Sequence, residues 1–241
     1  MHKIIQSLLI TVIILACSIS NAAPGNFSES KRIARKIFNE HPQTLYCGCA
    51  YNQSYQIDLS SCHMDAAKNI KRANRIEYEH MMPAENFGRQ FQCWREPLCH
   101  RNGKKYKGRK CCGQIDMKFK AAEAELYNLW PAVGLVNQAR SNYRFSMLDS
   151  KKGFFGCDIE IDTTLRKVEP PNRAKGIVAR ANLFMSVKYN VSLSPAQRNL
   201  FNAWNHQFPP TPWEINWAAQ VAQIEGYSNP YIDAYNTQIK Q

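Results

Sequence analysis

Residues 75–88 read RIEYEHMMPAENFG, and the pair Glu79-His80 inside that run organises the rest of the chain. Arg75 to Met82 alternates enough to predict a strand, and Pro83 predicts where it stops. A carboxylate beside a histidine sets a ligand for a hard cation next to a proton acceptor that titrates near neutral pH. Those two groups can turn water into a nucleophile beside a phosphate. On a strand they point to opposite faces, so both reach one substrate only where the strand ends or bends. A second oxygen ligand would have to come from an element packed behind the strand. By position the candidate is Asn128, which also has a purely local reading as a helix-end residue bonding its own backbone.

Downstream, Ile115, Phe119, Ala122, Leu126 and Leu129 recur at helical spacing, which predicts a central helix from Ile115 to Trp130 ended by Pro131. Upstream, Phe27 to Glu40 reads as a short amphipathic helix, and residues 41–62 as irregular. Glu85 to Gln114 reads as a long loop rich in Cys, Gly and basic residues, a kind of segment that is usually functional. Strand-like pieces lie around Phe154, Phe155, Ile159 and Ile161. Helices are predicted over Ala174 to Tyr189, from the Ser194-Pro195 cap to about Gln207, and from Trp213 to Glu225 with Gly226 as the C-terminal cap. The expected architecture is one mixed α+β domain with few strands and many helices.

The chain has 241 residues, of which 44% are hydrophobic, enough for one substantial core. Residues 1–22 carry one formal charge, Lys3, then an apolar run from Ile4 to Ala16 that is too short to span a bilayer. Ser20-Asn21-Ala22 follows with small residues, so the expectation is a secretory signal peptide cut after Ala22 and a mature domain over 23–241. The competing reading treats Ile14-Leu15-Ala16-Cys17 as a lipobox that anchors Cys17. Removing the leader turns nine cysteines into eight, which in an oxidising compartment predicts up to four disulfides. Seven of the eight lie between Cys47 and Cys112. Adjacent Cys111 and Cys112 should bond to different partners, as should Cys47 and Cys49, the latter pair having a redox reading as the alternative. A zinc site from Cys93, Cys99, His100 and Cys111 is the lesser alternative. His41, His63, His100 and His206 have no convincing catalytic partners in the sequence.

The formal charge is +12, one less once Lys3 leaves with the leader. An exported protein with that excess seeks a polyanion. Lys104, Lys105, Lys107, Arg109 and Lys110 cluster around Tyr106 and two glycines. Their place between the catalytic pair and Asn128 makes the cluster a candidate phosphate-binding loop.

Several further stretches occur in a fixed order: QCW at 92–94, LYNLWPAVGLVNQARSNY at 126–143, FFGCDIEID at 154–162, PPNRAKGIVAR at 170–180 and LFNAWNHQFPPTPWE at 200–214. Together with residues 75–90 they closely resemble the endonuclease I family of periplasmic or secreted bacterial nucleases. The resemblance spans about Tyr46 to Tyr231. It implies a disulfide-bonded mixed fold with a ββα-metal (His-Me finger) site. It implies His80 as the general base and Glu79 and Asn128 as ligands of one divalent cation, Mg²⁺ first and Ca²⁺ or Mn²⁺ as alternatives. The implied activity is cleavage of DNA, and of RNA, with little sequence preference and 5′-phosphate products, by a monomer in the periplasm or outside the cell. The other reading is a basic extracellular DNA-binding protein without catalysis.

This sequence departs from the family in three places. A Gly-Gly-Arg segment that follows QCW, whose Arg contacts the phosphate, is not in register, leaving Arg95 or Arg101 as substitutes. The late Trp-Glu-Cys is Trp213-Glu214-Ile215, so Cys157 loses a family partner, and Cys112 is the candidate in its place. Tyr78 stands where Trp is usual. Beyond Lys107 and Arg109 of the basic loop, Arg140 and Arg173, with Arg144 and Arg180, lie in family-like stretches as candidate substrate contacts or as buried structural residues.

Overall fold

The computed structural model describes residues 23–239, with side chains through 235, so the expected signal peptide and the Cys17 lipobox lie outside the described residues. Helix α1 (Phe27–Phe38) starts where the Asn26 side chain accepts from the Glu29 amide, and its inner face buries Ala34, Ile37 and Phe38. Strand β1 (Ile76–His80) comes next. Short helices α2 (Ala84–Gly88) and α3 (Gln92–Arg95) follow, then the hairpin β2 (Cys99–Arg101) and β3 (Lys104–Tyr106), and then α4 (Arg109–Ile115) and α5 (Met117–Ala124).

This corrects the expected long loop over 85–114. Two disulfides, Cys93–Cys112 and Cys99–Cys111, fasten these short elements beside an aromatic cluster in which Phe87, Phe91 and Trp94 surround Phe119. The hairpin turns at Asn102-Gly103, both with positive φ (49° and 73°), the Asn-Gly pairing that two-residue turns favour.

The expected single helix from Ile115 to Trp130 is also corrected. Asp116 ends α4 and, through its carboxylate, caps α5 at the Phe119 amide (2.9 Å). Glu125 does the same for a 3₁₀ turn at Leu126–Asn128 by accepting from Tyr127 N (3.0 Å). Strand β4 (Leu129–Val133) then pairs antiparallel with β1, His80 facing Leu129 and Tyr78 facing Pro131. Pro131 therefore sits inside a strand, which a two-stranded ribbon tolerates, and its carbonyl accepts from Leu45 N (2.8 Å). The periodic apolar residues Phe119, Ala122, Leu126 and Leu129 are all buried, whereas Ile115 is 53% exposed. Helix α6 (Gly134–Arg140) follows at once, giving the order strand, strand, helix around the Glu79-His80 pair.

A small sheet of β5 (Arg144–Phe145), β6 (Glu160–Asp162) and β7 (Lys167–Glu169) has the order β5-β7-β6. Helices α7 (Asn172–Lys188), α8 (Pro195–Gln207), α9 (Pro212–Glu225) and α10 (Pro230–Ile239) complete the α+β domain. Ser194 caps α8, Thr211 caps α9, and Gly226 closes α9 at φ 78°. The core centres on Phe38, whose ring lies 5.0 Å from Trp130 and 6.2 Å from each of Trp213 and Trp217.

The remaining disulfides are Cys47–Cys157 and Cys49–Cys62. Cys157 thus bonds to Cys47, not to Cys112. Cys93, Cys99 and Cys111 are all in bridges, which excludes the zinc alternative. The adjacent cysteines do go to separate partners, and Cys47-Gly-Cys49 is not a redox pair.

Phe38→Ala should cost about 3–5 kcal/mol of unfolding free energy, because four aromatic neighbours cannot close on the void. Guanidinium unfolding with the disulfides intact measures it. A loss below about 1 kcal/mol would show that this cluster does not carry the core.

Candidate active site

The site begins where β1 stops. Met81 N still donates to Asn128 O (2.9 Å), but beyond that bond the ladder ends, and two side chains supply the missing backbone partners. Asn128 spans Met82 like a backbone strand: its Oδ1 accepts from Met82 N (2.7 Å) and its Nδ2 donates to Met82 O (3.0 Å). Arg140, from the last turn of α6, donates to His80 O (3.0 Å) and Met81 O (2.7 Å). Both side chains are buried, at 0% and 1% exposure.

Glu79 is 2% exposed. Its Oε1 accepts from the Tyr46 hydroxyl (2.9 Å) and pairs with Arg140 Nη1 (3.1 Å). Its Oε2 is buried and has no hydrogen-bond partner. Burial raises this carboxyl to about 7, against the opposing pull of Arg140.

His80 Nε2 lies 2.8 Å from the carbonyl oxygen of Glu123. A carbonyl only accepts, so Nε2 carries the hydrogen and Nδ1 keeps its lone pair. Phe27 lies against the imidazole at 4.7 Å between centroids, and Phe87 at 6.0 Å. Burial, and then the positive charge of Arg109, lowers His80 to about 3. The ring is therefore an uncharged base throughout the neutral range.

Glu79 and His80 both border a cleft of about 630 Å³. Lys31, Arg35, Arg72, Arg109 and Arg140 line it from α1, the turn before β1, α4 and α6. Asn128 is buried and is not among the residues that line the cleft. Arg109 donates to the Glu123 carboxylate (2.5 Å) and lies 5.1 Å over the Phe27 ring. Glu123 thus fixes His80 with its carbonyl and Arg109 with its side chain.

The sequence-expected cations divide accordingly. Arg109 and Arg140 border the cleft, Arg140 as a buried partner of Glu79. Arg95 is tied to Arg89 O, and Arg173 donates to Cys47 O beside the Cys47–Cys157 bridge. Arg101 and Lys107 line a neighbouring groove. Arg180 is buried against Glu214. From this stretch of chain Arg109 borders the cleft, whereas Arg95 and Arg101 do not. Gly108 N donates to Cys93 O (2.9 Å), which brings Gly108-Arg109 back beside Gln92-Cys93-Trp94. Tyr46, Phe27 and Glu123 escaped sequence reasoning, since each acts through a contact that no local spacing reports.

An uncharged imidazole and a carboxylate at one strand end, opening on a cationic cleft, define a phosphodiester-cleaving hydrolase. The chain belongs to the endonuclease I family, whose sequence pattern matches residues 26–235. It is 39% identical over 212 residues to an extracellular deoxyribonuclease of Aeromonas hydrophila, covering 86% of this chain and 88% of that one. A periplasmic deoxyribonuclease of the same organism is 38% identical over 212 residues, covering 86% and 85%. Endonuclease-1 of Buchnera aphidicola subsp. Acyrthosiphon pisum (strain APS) is 39% identical over 211 residues, covering 86% and 80%.

His80 should stay neutral well below its ordinary range. Imidazole ¹⁵N spectra at pH 5 should show Nε2 protonated and Nδ1 bare, and an imidazolium pattern there would contradict the burial argument. The folded-state value lies below the unfolded one of 6.5, so this group's contribution to stability is complete above 6.5 and is lost as pH falls toward about 3.

Proposed function

We propose that the protein is an exported, cation-dependent endonuclease that hydrolyses DNA, and RNA as well, without sequence preference. The observation that carries this reading is His80, locked by Glu123 so that a bare Nδ1 remains beside a buried carboxylate with one free oxygen. Relatives named as extracellular and periplasmic deoxyribonucleases support the substrate and the compartment.

The residues fit one hard cation. Among the described residues no group of three or more His, Cys, Asp or Glu could hold a metal, so the site rests on a different donor set. Glu79 Oε2 is an orphaned buried anionic oxygen, and Asn128 Oδ1 accepts one hydrogen bond and keeps a second lone pair. These two oxygens would hold the ion, with Mg²⁺ the first candidate and Ca²⁺ or Mn²⁺ the alternatives. When bound, it would neutralise charge on the phosphate and on the departing oxygen.

His80 Nδ1 takes a proton from a water, whose oxygen attacks the phosphorus. The bond from phosphorus to the 3′ oxygen breaks, the 3′ oxygen takes a proton from a water, and the phosphate stays on the 5′ side. Arg109 faces the phosphate and balances its charge. An entering phosphate also raises the basicity of His80, because a nearby anion favours the imidazolium. Phe27 and Phe87 keep the ring from swinging away. Lys31, Arg35 and Arg72 hold the backbone by charge alone, which carries no sequence information. All these groups come from one chain, so a monomer suffices.

His80→Ala should lower kcat by about 10²–10⁴-fold while DNA binding in EDTA is retained. Plasmid nicking measures the first and a polarisation titration the second; full turnover in this variant would remove His80 from the mechanism. EDTA should abolish nicking, and added Mg²⁺ should restore it. The acid limb of kcat/KM should move to lower pH as Mg²⁺ is raised, because the cation and the proton compete for Glu79, which stands at about 7 without the ion. A limb that ignores Mg²⁺ would separate Glu79 from the cation.

A further inference from the structure

The hairpin β2–β3 is an excursion that the core does not need. Gly108 N bonds Cys93 O at 2.9 Å, so the chain leaves and returns at one point. From Arg95 to Lys105 every residue except Cys99 is exposed. Burial therefore does not account for this arm, yet it is fastened at its base by Cys93–Cys112 and along its side by Cys99–Cys111.

Between the arm and α4 runs a groove of about 850 Å³. Arg101 and Lys104 face into it from the arm, and Lys110 lines it from α4. Strand alternation puts His100 and Lys105 on the other side of the hairpin, and neither lines the groove. The acid of the groove, Glu123, is already paired with Arg109. Among the described residues Arg101, Lys104 and Lys110 have no ion-pair partner. Arg109 lines both this groove and the catalytic cleft, so the two adjoin at that residue.

We propose that this groove is a second nucleic-acid site that takes the sugar-phosphate backbone of the strand running out of the catalytic cleft. It rests on the reading that the substrate is a nucleic-acid strand. With Lys107, whose ammonium donates to Arg95 O, the groove presents four cations that have no ion-pair partner, a charge suited to a polyanion. The two disulfides fix the arm against α4 before binding, so little ordering is lost when the strand arrives. The arm thereby extends the footprint past the scissile phosphate and strengthens the grip without selecting sequence.

The test is the salt dependence of binding to a fluorescent 20-mer DNA duplex in EDTA, which stops cleavage. In R101E/K104E/K110E the slope of log K against log salt should shrink by about 2.7, about 0.9 for each lost phosphate contact. The charge-matched control K36E/K152E/R198E, whose sites lie outside cleft and groove, should keep a slope close to wild type. Circular dichroism and melting confirm that each variant is folded, and K104E alone, with an expected loss of about 0.9, serves if the triple variant is not. A wild-type slope in the groove variant, or an equal loss in the control, overturns the proposal. Because no turnover is measured, failure of plasmid nicking would sink the nuclease reading and leave this one standing.

Discussion

One buried guanidinium sets the geometry on which the rest depends. Arg140 lies at the end of α6, is 1% exposed, and holds the carbonyls of His80 and Met81 together with the Glu79 carboxylate. A cation so buried is costly unless its neighbours satisfy it. Here those neighbours are the end of the catalytic strand and the carboxylate beside it. The bend after β1 lets residues on opposite strand faces border one cleft. It persists because Arg140 and Asn128 replace the ladder partners that the bend removes.

The same economy of contacts shapes the base. Glu123 anchors His80 through its backbone and Arg109 through its side chain. Tautomer and local positive potential are therefore set by one residue on α5. That potential opposes protonation of His80, as does burial, so the imidazole is an acceptor at rest. Glu79 is held the other way, its carboxyl raised by burial with one oxygen left unpartnered. A neutral imidazole beside an under-satisfied carboxylate is what the proposed entry of a cation and a phosphate would complete.

Much of this was legible in the chain. The strand at 76–80, the helix at α1, the capped helices α8 and α9 and the separate partners of adjacent cysteines all follow from local signals: alternation, helical spacing, Ser and Gly caps. The errors were also local. The apolar spacing from Ile115 to Leu129 is real, since four of its five residues are buried, but Asp116 and Glu125 spend their carboxylates on backbone amides and divide the run into helix, 3₁₀ turn and strand. The basic segment read as a loop holds a hairpin whose Asn102-Gly103 turn was visible in the sequence. Its fastening was not, because eight cysteines allow many pairings and only distance selects one.

The sequence by itself determined which groups are available: a carboxylate, an imidazole and an amide, an excess of positive charge, and eight cysteines after residue 22 that pair in four disulfides. Only the tertiary structure decided which arginine meets the cleft. Arg95 and Arg101 are nearer the catalytic strand in sequence, yet Arg109 arrives there because the chain closes on itself between Cys93 and Gly108. It also decided that His80 offers Nδ1 rather than Nε2, since that depends on a carbonyl 43 residues away. Side-chain identity fixes what a group can do, whereas its charge state and its partners depend on desolvation and on contacts that form only when distant segments pack together.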